Sequence, residues 1–129
     1  MSKILLLSTI LMFCINSYTF SQSNSTKVLM GSWEGIDKNT GKVGKFVFID
    51  SIQIEVVYPD GSKDNCVYTI DFKKNPAWFD IINSQLGRTK TLKGLIKILN
   101  DSTFNWYLSS DGNRPVDYSH LIMTFRKKS

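Results

Sequence analysis

Residues 51–72 read SIQIEVVYPDGSKDNCVYTIDF. Ile52, Ile54, Val56 and Tyr58 alternate with Gln53 and Glu55, the period-two pattern of a strand with one covered face. Pro59-Asp60-Gly61-Ser62 interrupts that pattern, and the Asp-Gly step supplies the positive φ that a tight hairpin needs. Alternation then resumes, with Cys66, Tyr68, Ile70 and Phe72 on one face. Two antiparallel strands therefore share one apolar side, and an isolated hairpin is marginal in water. The rest of the chain has to cover it.

The remaining sequence continues in the same manner, as short alternating stretches separated by turn residues. Before the hairpin, strands are expected at 31–36 and 43–49, joined through Asp37-Lys38-Asn39-Thr40-Gly41. After it, strands are expected at 77–82, entered through Asn75-Pro76, and at 91–99, 103–109 and 119–126. The window 91–99 is ambiguous, because Leu92, Leu95, Ile96 and Leu99 also fit a helical repeat. Gly94 at its centre and its short length favour a strand. Eight short strands in sequence order, nearly all with one apolar face, point to an all-β, eight-stranded antiparallel up-and-down barrel, whose closure also removes the sheet edges. Such a barrel either fills with side chains or holds one small ligand.

The 129-residue chain has room for one domain, and its first part reads as something else. MSKILLLSTILMFCINSYTFSQS opens with one cation, Lys3, and an apolar run from Ile4 to Phe13. It then becomes polar and reaches small residues near Ser21, the layout of a secretory signal. The run is too short to span roughly 30 Å of hydrocarbon, so stable membrane insertion is not expected. Residues 1–21 are read as the signal, 22–29 as a flexible lead-in and 30–127 as the barrel, with an exported, periplasmic or secreted destination. Bulky Phe13 before Cys14 argues against lipid anchoring there. Cleavage after Ser21 leaves Cys66 as the single thiol, so no internal disulfide helps the core.

With 16 Lys and Arg against 11 Asp and Glu, the formal net charge is +5. The basic residues are scattered and do not interleave with aromatics along one face, which argues against nucleic acid as a partner. His120 is the sole histidine and no serine sits in a glycine-flanked elbow. No metal site, phosphate loop or dinucleotide fingerprint is legible. No catalytic residue and no cofactor are therefore assigned. Asp71 and Asp80 read as turn-stabilising carboxylates. Arg114, held extended by Pro115, reads as the partner of Asp71 or Asp80, or of an acidic ligand at the barrel rim.

The stretch GSWEG (31–35) resembles the Gly-x-Trp that opens the first strand of lipocalins and other calycins. YTIDFKKNPAWFDI (68–81), LKGLIKILNDSTFNWYL (92–108) and GNRPVDY (112–118) are similar to the small bacterial lipocalin-like domains of exported proteins. The resemblance implies that Trp33 crosses the barrel floor beneath an arginine near the chain's end, here Arg126, with Gly31 allowing close backbone approach. The expected lining is Phe46, Phe48, Ile54, Val56, Tyr68, Ile70, Leu92, Ile96, Phe104 and Trp106, facing a small apolar or amphipathic molecule. The alternative is a protein-interaction module with a filled core and aromatic Trp78 at the rim. A cavity of roughly 300 Å³ or more favours a ligand, and a void smaller than a few waters favours the alternative.

Overall fold

A computed structural model describes residues 26–84 and 87–128. Those residues form one closed antiparallel barrel in sequence order. Its strands are β1 (Gly31–Asp37), β2 (Val43–Phe48), β3 (Gln53–Val57), β4 (Lys63–Asp71), β5 (Ala77–Asn83), β6 (Lys90–Asn100), β7 (Thr103–Leu108) and β8 (Leu121–Lys127). The window with helical spacing is strand: Leu92, Ile96 and Ile98 join the core, while Leu99 is exposed. Gly94 within it would place a notional Cβ 2.7 Å from the Tyr107 carbonyl oxygen, so tight strand packing overrides the helical repeat. The expected signal and Cys14 lie outside the described residues.

Closure occurs where β8 pairs with β1, from Trp33↔Lys127 to Asp37↔Met123. The register places β1's start, β2's end and β8's end together at the floor. The turns 38–42 and 58–62 lie at the opposite end, where the 109–120 connection leaves β7 and enters β8. A 3-10 turn, Thr26–Leu29, tucks under the floor. There Leu29 is fully buried, and its carbonyl accepts a hydrogen bond from Trp33 Nε1 at 2.7 Å. The lead-in expected to be flexible is thus seated from Thr26 onward, because Leu29 supplies both an apolar plug and the acceptor that the buried indole needs.

Two expectations about the floor change. The cation over the Trp33 ring is Lys127, with Nζ 5.6 Å from the ring centroid. Arg126 lies between Phe125 and Lys127, so the two-residue repeat turns it outward, where it is exposed. Gly31 is needed for its backbone, with φ at +105°, since the nearest atom to a notional Cβ is 4.0 Å away. The close approach belongs to Gly35, where a Cβ would sit 2.5 Å from the Phe125 ring.

The lower barrel is filled by rings. Phe104 stacks on Phe125 with centroids 4.9 Å apart, and Phe125 on Phe46 at 4.3 Å. Trp33 meets Phe104 edge-on at 4.9 Å, and Phe48 meets Tyr68 at 5.1 Å. These arrangements suit the aromatic quadrupole and add about 0.5–1.5 kcal/mol per pair beyond area burial. Gly35→Ala is expected to drive a methyl into the Phe125 ring and cost about 1–3 kcal/mol by overpacking. A lowered urea midpoint with unchanged slope checks it.

Candidate functional site

The upper barrel is not filled. Among the described residues an interior cavity of about 140 Å³ lies there, walled by Phe46, Val56, Cys66, Ile81, Leu92, Trp106, Met123 and Phe125. It reaches Tyr58, Pro59, Asn83 and Lys90 at the end opposite Trp33. The volume equals about four or five waters at ~30 Å³ each and approaches the ~150 Å³ that admits a benzene ring. It falls below the 300 Å³ set from the sequence, because the rings beneath occupy the rest.

All ten residues expected to line the interior face it. Phe46, Phe48, Ile54, Tyr68, Ile96, Phe104 and Trp106 are buried, and Val56, Ile70 and Leu92 are half-buried against them. Only Phe46, Val56, Leu92 and Trp106 border the cavity. The other six fill the core. Sequence reasoning missed Ile81, Met123 and Phe125 as wall residues, although Phe79/Ile81 and Met123/Phe125 each keep the two-residue spacing. Lys45 and Lys90 belong to the basic residues scattered along the sequence.

The mouth is organised by Asp64. Its Oδ2 accepts hydrogen bonds from the Tyr58 hydroxyl at 2.7 Å and from Asn83 Nδ2 at 3.0 Å. The bond to the Asp64 carboxylate, aided by partial burial, pushes the Tyr58 phenol up to about 12. Burial, and then the Asp64 charge, raises the Cys66 thiol above its ordinary value, so it stays protonated and weakly nucleophilic at neutral pH. Tyr68, deeper in the barrel, is likewise raised to about 12 by burial and donates to the Asp50 carbonyl at 2.6 Å.

Trp106 differs from its neighbours. The residue is 7% exposed and its indole Nε1 is buried with no hydrogen-bond partner. Such an orphan donor costs about 1–3 kcal/mol. It is the one buried side-chain nitrogen or oxygen without a partner among the described residues.

Arg114 and Trp78, expected at the rim, lie on the outer wall. The β7–β8 connection leaves the mouth and folds down over β5, β6 and β7. Arg114 donates to both Asp80 oxygens, one at 2.9 Å, and to the Gly94 carbonyl at 3.0 Å. Its guanidinium carbon stands 3.9 Å from the centroid of the Trp78 ring. Pro115 is buried, and Tyr118 packs on Tyr107 at 4.9 Å. Asp80 is therefore the arginine's partner, while Asp71 accepts from the Lys73 amide in a turn. His120 is exposed in this connection. No group of three or more His, Cys, Asp or Glu capable of holding a metal ion occurs among the described residues.

Compared with known protein families, curated proteins and solved structures, the chain matches none of them.

Two outcomes are expected. Tyr58 has a raised folded pKa, so its contribution to stability is intact below pH 10 and is lost as pH rises toward about 12. Asp64→Asn removes the carboxylate, and one tyrosine should then ionise earlier in an absorbance titration at about 295 nm. Arg114→Lys loses the paired contacts to Asp80 and the ring stacking, which should lower stability by about 1–2 kcal/mol and open the β7–β8 connection to limited proteolysis.

Proposed function

We propose that this chain is an exported lipocalin-like barrel that takes a small apolar or amphipathic molecule into its upper interior. The observation carrying this reading is the apolar cavity of about 140 Å³ at the end opposite the Trp33 floor. A packed core ordinarily holds few voids larger than a water, and leaving this one unfilled forfeits contacts that larger side chains would supply. The signal-like residues 1–21 support export. The closed eight-stranded barrel, with Gly-x-Trp opening its first strand and a cation over that tryptophan, supports the lipocalin-like assignment.

The size of the cavity sets the ligand class: a single ring or a short branched chain, rather than a whole fatty acid. Lys90 at the mouth favours a molecule whose exposed end is polar or anionic. The second reading is a protein-interaction module. It draws on Trp78, which keeps 38% of its surface exposed on the outer wall despite Arg114 and Lys74 over its ring.

Ethylbenzene titrated into ¹⁵N-labelled protein should shift amides of Phe46, Val56, Leu92 and Met123 saturably. Val56→Phe, which fills the cavity, should weaken binding at least about tenfold while preserving the melting transition. Trp78→Ala should leave that binding intact. The absence of saturable shifts at the wall would remove the interior-site reading and leave the interaction module.

A further inference from the structure

We infer that the mouth of the interior site reads a zwitterionic head group, which makes its ligand class the α-amino acids with one ring or a short branched side chain. This rests on the reading of the cavity as a ligand site and adds the polar half of the guest. Asp64 receives the ammonium and Lys90 the carboxylate.

Strand alternation places the two charges. Asp64 pairs with Val56 and stands two residues before buried Cys66, so it belongs to the inward-facing set of β4. Lys90 opens β6 two residues before Leu92 and borders the cavity. Asn83, also on the cavity wall, lies between them. It is the cross-strand partner of Lys90, and its Nδ2 is 3.0 Å from Asp64 Oδ2. Lys45, the other cation in the wall, is exposed beside buried Phe46, so alternation turns it outward.

Asp64 and Lys90 form no ion pair with each other, and neither has an ion-pair partner elsewhere among the described residues. The Tyr58 hydroxyl and the Asn83 amide both donate to Asp64 Oδ2, and these neutral donors leave its charge uncompensated. Opposite charges therefore stand on either side of one amide, at the mouth of an apolar cavity. A guest with only an anion would bring a like charge to Asp64, and one with only a cation would bring a like charge to Lys90. A zwitterion suits both, and the cavity of about 140 Å³ beneath takes its side chain.

Four compounds share the ethylbenzene skeleton and differ in head group: ethylbenzene has none, 3-phenylpropionate an anion, 2-phenylethylamine a cation and L-phenylalanine both. Amide shifts at the cavity wall report binding of each to the full barrel. In the wild type at low salt, L-phenylalanine should bind about fivefold more tightly than either singly charged compound, the scale of one partly exposed ion pair. Added salt should shrink that advantage. In Lys90→Gln the advantage over 2-phenylethylamine should vanish and the advantage over 3-phenylpropionate persist. In Asp64→Asn the reverse is expected. A general loosening of the barrel would not produce this crossed pattern.

A singly charged compound that binds as tightly as L-phenylalanine, or a substitution that leaves its matching ratio unchanged, would overturn this inference, while ethylbenzene binding would keep the interior site standing. Saturable shifts from none of the four would overturn both. If Asp64→Asn does not fold, the wild-type ratios and the exposed Lys90→Gln substitution decide.

Discussion

The pairing of β8 with β1 is the constraint on which the rest depends. Without it the chain is an eight-stranded ribbon with two unpaired edges and one greasy face, an arrangement prone to association. With it, the inward side chains of all eight strands share one enclosed volume. The ladder holds only because Gly35 lacks a side chain: Phe125, its partner across the seam, lays its ring over the glycine's position. That ring then stacks between Phe46 and Phe104, joining the closure to the centre of the core. A backbone requirement and a packing requirement meet at the same pair of residues.

The interior is divided by what fills it. Toward the floor, Trp33, Phe48, Phe79, Phe104 and Leu29 exclude solvent, and the deepest polar group, the Trp33 indole, has its acceptor. Toward the mouth, the wall residues Val56, Cys66, Ile81 and Leu92 are too small to meet across the barrel, and a void remains. The lower part is a packed core and the upper part encloses the cavity. The large side chains below set the size of the void, so cavity volume and barrel stability are linked through one packing arrangement.

Much of this was legible beforehand, for a physical reason. Strand alternation is a local property, and it placed Phe46, Ile54, Tyr68, Phe104 and Trp106 correctly inward. The Asp-Gly turn at 60–61 was equally local, with Gly61 at φ +90°. What the sequence concealed depends on distances between strands. Arg126 and Lys127 are both cations at the chain's end, and only the position of Phe125 decides which one meets Trp33. Gly31 and Gly35 look alike in the sequence, but one is dictated by φ and the other by a ring from β8. The cavity volume is a remainder after packing, and the orphaned Trp106 N–H is an absence of partners. Neither has a sequence signature. The outer-wall placement of Arg114 was also hidden, because it requires knowing that the β7–β8 connection folds back along the barrel.

That connection makes the barrel lopsided. Arg114, Pro115 and Tyr118 clamp β5, β6 and β7 from outside. The β5–β6 ladder beneath them is also the longest among the described residues, with seven paired positions. Across the cylinder, β2 and β3 share four, fewer than any other neighbours described. Val56 and Val57 of that short seam border the cavity, next to Tyr58 and Pro59. Where least backbone pairing must be surrendered, local opening is easiest. The wall therefore has a stiff side and a yielding side, and the yielding side borders the cavity.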